Sequence, residues 1–347
     1  MLKETFSLVS RYYSSLSTFS AQSMLLDILT SPLAIVIIFV TTNLAIALRQ
    51  ILKGRRAIPI SVNYHFSREC NKDCGFCFYT AKSSYILPQE EAKRGLRLLK
   101  EAGTKKINFA GGEPFLNEKF LGEMIVYCKR ELKLESVSIV SNGSLIKKSF
   151  FQKYGKWLDI LAISCDSFDE KTNIAIGRGS GQQVDQIYRI AGWCSEFGVK
   201  FKINTVVCSL NHREDMNVHI NLLNPFRWKC FQVLSVPGEN NSGKTLKDVR
   251  DWQITSDEFN EFCERHKEQK CMIPEPNDLM VSSYLILDEY MRFLNRVTGK
   301  PSQSILDVGV DRALEQVEWD QEAFVKRGGI YDWASKPRHK CNDDLKW

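Results

Sequence analysis

The 347-residue chain carries 47 Lys and Arg against 41 Asp and Glu, and 44% of its residues are hydrophobic, which excludes a disordered or low-complexity chain. The excess of six positive charges is mild and spread along the sequence, so composition alone gives no nucleic-acid surface and no direct nucleic-acid partner is expected. The 11 cysteines are mostly scattered singly in apolar segments, as at Cys165, Cys208 and Cys230, which excludes a disulfide framework and points to a reducing compartment.

Residues 1–56 form a separate amino-terminal segment. Between Asp27 and Arg49 lie 21 residues without a charge, including PLAIVIIFVTTNLAIAL, about the length of a membrane-spanning helix. Pro32, Thr41, Thr42 and Asn43 interrupt the run, so an interfacial helix or a re-entrant hairpin fits nearly as well, and residues 25–52 are expected to contact a membrane. Arg49, Lys53, Arg55 and Arg56 follow the run against Lys3 and Arg11 before it, which predicts that the body faces the cytosol. A cleaved secretory signal fits poorly, because the run begins late and its charge lies mostly on the wrong side.

From Ile58 onward short apolar runs alternate with amphipathic segments, the pattern of βα units on a parallel sheet. Strands are predicted at 58–64, 105–110, 136–140, 159–164, 200–207 and 229–235, and helices at 88–102, 117–131, 147–155, 183–197 and 212–223. Residues 57–236 thus read as an α/β core of six strand–helix units. Residues 237–347 read as an extension: a GENNSGK loop, helical segments near 256–267 and 279–297, and a basic, aromatic tail.

In a barrel of parallel strands, chemistry gathers on loops at the carboxyl ends of the strands. RECNKDCGFC, with Cys70, Cys74 and Cys77 spaced C-x3-C-x2-C, lies just after the first strand. GGEP (Gly111, Gly112, Glu113, Pro114) follows the second and SNG (Ser141, Asn142, Gly143) the third. Three thiolates suit a [4Fe-4S] cluster with one iron left open, or a zinc ion that borrows His65, the one histidine nearby. Two glycines before a proline often mark only a turn, but beside a metal loop the missing side chains allow close backbone approach.

Strand parity puts Lys106 with Asn108, Lys202 with Asn204, Arg227 with Lys229, and Asn63 on the inward face, opposite Ile107, Phe109, Phe201, Ile203 and Trp228. A lone lysine on a strand is ordinarily a solvated edge. Four cations converging inside a barrel call for an anion, since buried unpaired charge is costly.

CNKDCGFC with an aromatic beside its last cysteine, followed by GGEP, resembles the radical S-adenosylmethionine superfamily. That resemblance implies a partial (βα)6 TIM-like barrel, a [4Fe-4S] cluster on Cys70, Cys74 and Cys77, and S-adenosylmethionine chelated to the fourth iron. One electron from the cluster would then cleave S-adenosylmethionine to methionine and a 5'-deoxyadenosyl radical. Gly111, Gly112, Glu113 and Pro114 would hold the methionine end, and Ser141, Asn142, Ser164, Asp166 and Arg178 would line the rest. SVNYHFSREC, KINFAGGEPF, VSIVSNGSLI, LDILAISCDSFDE, NPFRWK and SYLILDEYMRFLN are similar to the viperin family within it, over about Ile58 to Gly329.

This second resemblance implies an antiviral enzyme that converts CTP to 3'-deoxy-3',4'-didehydro-CTP by removing the ribose 4' hydrogen and losing the 3' hydroxyl. Lys202, Arg227 and Lys229 would contact the triphosphate, Asn63 and Asn204 would help hold the nucleotide, and Lys106 would lie near the ribose. Tyr284 matches a tyrosine near the reacting sugar, and reads equally as a packed aromatic. In the tail, Lys326 and Arg327 would belong to a lid over the nucleotide, and Trp347 would recruit the cytosolic iron–sulfur assembly machinery, although Lys346 stands where an acidic residue is expected. The resemblance also implies the cytoplasmic face of the endoplasmic reticulum membrane and lipid droplets. No residue pattern names the electron donor. Two rivals remain: the same chemistry on UTP or GTP, and a membrane-anchored scaffold with a structural cluster.

Overall fold

A computed structural model describes residues 57–334. The chain divides into two units, Met1–Arg56 and Ala57–Trp347, and the described residues all belong to the second. The predicted membrane segment 25–52, Lys346 and Trp347 lie outside them.

Six strands fall where the apolar runs place them: β1 Ser61–His65, β2 Lys106–Ala110, β3 Ser136–Ser141, β4 Ile160–Ser164, β5 Lys200–Val207 and β6 Arg227–Gln232. They pair in parallel in sequence order. The extension adds a parallel strand at each flank, β7 Met272–Glu275 beside β6 and β8 Ile286–Leu287 beside β1. Antiparallel β9 Arg292–Leu294 and β10 Pro301–Ser304 finish the β8 edge, giving the order β10-β9-β8-β1-β2-β3-β4-β5-β6-β7. Side chains from β1 through β6 reach one cavity, so the sheet curls into an incomplete barrel whose two ends, β7 and β10, do not pair.

The outer face of the sheet is covered by α1 Gln89–Glu101, α2 Glu118–Val126, α3 Lys148–Tyr154, α4 Glu170–Ile176, α5 Gln183–Phe197 and α6 Asn217–Leu223. In α1 the apolar face Ala92, Gly95, Leu96, Leu99 recurs at helical spacing, with Glu90 and Glu91 in the first turn and Lys100 in the last. The core between the layers takes the outward-facing strand residues: Tyr64, Ile107, Phe109, Val137, Ile139, Leu161, Ile163, Phe201, Ile203 and Trp228. The strand parity read from the sequence is therefore the parity of the structure.

Two elements depart from expectation. The helix α4 was not predicted; Asp169 starts it by accepting the Lys171 amide. The predicted helix at 279–297 is replaced by a short helix Asn277–Met280 and the β8–β9 hairpin. Its turn is set by Asp288, whose Oδ1 accepts the Tyr290 and Arg292 amides at 2.9 Å each, with Met291 at φ 59°. Strand β1 supplies the backbone partner that holds this segment extended, and the Asn63 amide reaches the Leu285 carbonyl at 2.9 Å. The segment 256–267 does form a helix, α7 Ser256–Arg265, closed by a capping box of Thr255 and Glu258.

Candidate active site

The cysteine loop leaves β1 and is held from two sides by backbone. On one side the Gly112 amide donates to the Ser67 carbonyl at 2.8 Å and the Glu113 amide to the Glu69 carbonyl at 2.7 Å. The approach is so close that a Cβ on Gly112 would stand 1.9 Å from the Glu69 oxygen, and one on Gly111, at φ 130°, 2.3 Å from the Ser67 oxygen. On the other side the end of α4 pairs with the loop, the Asp73 amide on the Gly177 carbonyl at 3.0 Å and the Gly75 amide on Ile176 at 3.1 Å. The glycine pair thus serves first to lock the loop against β2.

Arg68 closes the base of the loop. Its buried guanidinium joins Glu289 at 2.9 Å and Glu239 at 3.2 Å, donates to the Thr80 carbonyl and lies 3.9 Å over the Tyr79 ring. One side chain thereby ties the entry to the cysteine loop to its exit. Cys74 is buried, Cys77 half-buried and Cys70 exposed, and all three line the cavity. Burial pushes the Cys77 thiol up to about 12. Among the described residues no three His, Cys, Asp or Glu side chains gather closely enough to hold one metal ion. That donor set suits a polynuclear cluster, each thiol on its own iron, better than a single zinc ion. His65 stays with its neighbours instead: its ring meets Tyr79 edge-on at 4.4 Å, and burial, with Arg68 and Arg296, lowers its pKa to about 3.

Glu113 is fully buried and organises the next turn. Its carboxylate accepts the Ser141 hydroxyl at 2.8 Å, the Asn142 amide at 2.8 Å and the Phe115 amide at 3.0 Å. Burial raises its pKa while those three donors oppose the rise. Pro114 begins the short helical turn that follows. Asn142 reaches on to Asn71 beside Cys70, and Gln183 of α5 holds the Asn142 carbonyl at 2.7 Å. Across the cavity the buried pair Asp166 and Arg178 ends β4, with the Val206 amide on the second Asp166 oxygen at 2.9 Å. Burial works against the Arg178 charge, but Asp166 and then Cys74 and Cys77 hold its pKa above the ordinary value. Ser141, Asn142, Ser164, Asp166 and Arg178 all line the same half of the cavity as the three cysteines.

The cavity encloses about 640 Å³ and continues between the strands. A polar chain crosses its wall, Ser138 to Asn108 at 2.8 Å, Asn108 to Asn63 at 2.9 Å and Asn63 to the Leu285 carbonyl at 3.1 Å. Beyond it lie Lys106, Lys202, Lys229, Arg296 and Arg327. Lys229 and Arg327 converge on one oxygen of the buried Glu275, and Lys229 also meets the Tyr284 hydroxyl at 2.8 Å, with Arg327 stacked 3.7 Å over the Tyr284 ring. Burial, then Arg227 and Arg327, pushes Lys106 down to about 7; burial, only partly offset by Glu275, does the same to Lys229. Lys202 falls well below the ordinary lysine range through burial and the like charges of Lys229, Lys106 and Arg227. Asn204 Oδ1, Arg227 Nε, Glu275 Oε2, Arg296 Nε and Arg327 Nε are buried without a hydrogen-bond partner. So much unmatched polarity asks for an anionic, hydrogen-bonding guest.

The tail is a floor, at the opposite end of the strands from the cysteines. Arg227 donates to the Gly328 carbonyl at 3.3 Å and lies 4.0 Å over the Tyr331 ring, whose hydroxyl takes Lys106 at 2.9 Å. The buried Trp333 packs on Ile60 and Ile160, and its carbonyl accepts Ser136 at 3.0 Å. Arg327 enters the cavity as expected, whereas Lys326 is exposed at the end of the helix Gln321–Lys326 and does not reach it. Sequence reasoning missed Glu275, Arg296, Tyr331, Gln183 and the Arg68 network. Arg296 was hidden in the misread helix, and Glu275 in a proline-flanked run that carries no strand signal.

Residues 64–223 match the model of the Radical SAM superfamily. The SuiB protein of Streptococcus suis, in a crystal structure bound to S-adenosylmethionine, superposes with a TM-score of 0.58 at 18% identity, over 78% of this chain and 68% of that one. The cysteine loop and the match to the Radical SAM superfamily, on the fold that the superposition shares, define a radical S-adenosylmethionine enzyme. The S-adenosylmethionine-dependent nucleotide dehydratase of Danio rerio is 55% identical over 85% of this chain and 83% of its own, and that of Siniperca chuatsi 55% over 83% and 82%. The chain belongs with them to the viperin family.

Proposed function

We propose that the enzyme dehydrates CTP to 3'-deoxy-3',4'-didehydro-CTP, as an antiviral effector. The observation that carries this reading is the convergence of Lys106, Lys202, Lys229, Arg296 and Arg327 in the cavity that Cys70, Cys74 and Cys77 also line. The relatives' printed activity, nucleotide dehydration, supplies the reaction class. Cys70, Cys74 and Cys77 hold a [4Fe-4S] cluster, which supplies the electron that converts S-adenosylmethionine into methionine and a hydrogen-abstracting 5'-deoxyadenosyl radical. Ser141, Asn142, Ser164 and the Asp166–Arg178 pair line the space for that cosubstrate, on turns fixed by Glu113. Lys202, Lys229 and Arg327 face the triphosphate, Asn63, Asn108 and Asn204 the nucleoside, and Tyr284 the sugar, whereas Arg227, expected on the triphosphate, lies outside the cavity lining, stacked on Tyr331. The cationic wall excludes neither UTP nor GTP by charge, so base choice rests on the polar chain from Asn63 to Ser138.

The test is 5'-deoxyadenosine formation by the anaerobically reconstituted, reduced enzyme with S-adenosylmethionine and one nucleotide at a time. Strong stimulation by CTP with release of a dehydrated nucleotide is expected; stimulation by UTP or GTP instead would move the substrate, and no cleavage by cluster-loaded protein would favour a scaffold. The uncharged run between Asp27 and Arg49 supports membrane attachment and the basic residues after it the cytosolic face; the endoplasmic reticulum and lipid droplets as that membrane, and a contact of Trp347 with the iron–sulfur assembly machinery, are proposed from the family resemblance. Protease accessibility of the amino terminus in sealed vesicles, and capture of that machinery with and without Trp347, test these two.

A further inference from the structure

We infer that Trp252 is the solvent shield of the cysteine loop and sets how readily its iron–sulfur cluster is reduced. This rests on the reading that Cys70, Cys74 and Cys77 hold such a cluster.

Gly75 lies between Cys74 and Cys77, and the Trp252 indole rests directly upon it. A Cβ on Gly75 would stand 2.0 Å from Trp252 Cζ2 and 2.3 Å from Cε2, so the loop can pass beneath the ring only as glycine. Phe76 meets the same ring edge-on at 5.7 Å. Trp252 is not among the residues that line the cavity, so it covers the loop from outside while substrate space lies within. With Phe76, Ile176, Cys208, Val233 and Val249 it completes an apolar pocket around Cys74 and Cys77 that is separate from the main core.

The segment that carries Trp252 is moored to the loop rather than merely near it. Asn240 donates to the Phe76 carbonyl at 3.0 Å and Lys247 pairs with Asp73 at 2.5 Å, while the Ser209 amide, just after β5, donates to the Trp252 carbonyl at 3.1 Å and fixes the end of the segment. The run GENNSGKTLKDVRDW, of which GENNSGK reads in the sequence as a loop, is therefore a strap across the cysteine loop with the indole at its end.

The physical consequence has a sign. Reduction adds one electron to the cluster, with no bond or proton exchanged, and increases its negative charge. Water stabilises that extra charge and an apolar cover does not, and solvent exposure is one of the determinants of cluster potential. Uncovering the loop therefore moves the potential to less negative values and opens the cluster to oxygen. Trp252 touches neither substrate nor cosubstrate space, so it is a positioning and shielding residue rather than a catalytic one.

The experiment compares reconstituted full-length wild type, Trp252→Ala and Trp252→Phe, without nucleotide or S-adenosylmethionine. An anaerobic redox titration with dithionite is read by electron paramagnetic resonance, and the loss of cluster absorbance is followed in air-saturated buffer. Trp252→Ala is expected to shift to a less negative midpoint and to bleach several-fold faster, and Trp252→Phe to stay close to wild type. A Trp252→Ala protein with wild-type iron content, potential and bleaching rate overturns the inference. If Trp252→Ala loads poorly, Trp252→Leu and Trp252→Gln decide it: similar bulk with different polarity must separate the two potentials, and identical potentials overturn it. Since neither readout requires turnover or nucleotide, a wild type that binds no iron refutes the cluster reading instead, and the identity of the substrate does not bear on the outcome.

Discussion

Lys106 shows how a single buried charge can be tuned for a guest. Its ammonium touches Tyr331 at 2.9 Å and lies 4.9 Å from the centre of that ring. Burial, reinforced by Arg227 and Arg327, depresses its pKa to about 7, far below the roughly 10.4 of a lysine in the unfolded chain. The empty fold carries the full cost below pH ~7 and sheds it as pH climbs toward ~10, so ligand-free stability rises with pH over that window. Binding of the anionic nucleotide beside it runs the other way, because the ligand's negative charge favours the ammonium: affinity falls above pH 7, by up to about tenfold per pH unit for each proton taken up. Calorimetric titration with CTP between pH 6.5 and 9 should show that slope. Lys106→Arg, whose charge does not titrate, should flatten it to what Lys229 and Lys202 contribute.

At the scale of elements, the GGEP turn and the cysteine loop form one unit. Their backbones hydrogen-bond at Ser67 and Glu69, and the side chain that follows, Glu113, fastens the turn after β3 to the same place. A methyl group on Gly112 meets a backbone oxygen that cannot swing aside, so the loop itself must move. Gly112→Ala is therefore expected to lose about 1–3 kcal/mol of stability, and most of its iron after reconstitution. Iron per chain and denaturant unfolding, measured together, check this; full iron loading would show that the cysteines tolerate the displacement.

At the scale of the molecule, the described body closes its cavity with pieces distant in sequence: cysteine loop at one end, tail at the other, the 284–296 hairpin along one edge. Ending the chain after Asp320 would remove Arg327, Tyr331 and Trp333 together, take Tyr331 from Lys106 and Arg227, and leave Glu275 with Lys229 alone. Loss of one charge-assisted contact is worth about 1.5–3 kcal/mol, so triphosphate affinity should fall by tenfold or more. Calorimetry with CTP measures it, and unchanged affinity would mean that the tail only seals the floor.

The sequence by itself determined the six strands, their parity, the cysteine spacing and the turns GGEP and SNG, because each is local: alternation sets a face, glycine permits a close approach, and three thiols announce a cluster. It thereby placed Lys106, Lys202, Lys229, Asn63 and Asn204 on one wall before any contact was visible. Only the tertiary structure decided that Ile286–Leu287 and Arg292–Leu294 are strands, since the edge of β1 offered the first a backbone partner, and the first in turn the second, which their helical-looking pattern does not encode. Nor does any local rule pair Glu275 with Lys229 and Arg327, join Arg68 to Glu239 and Glu289, or lay Trp252 on Gly75. Those contacts span tens to hundreds of residues, and their energy comes from burying charge and aromatic surface together, which exists only once the sheet has curled.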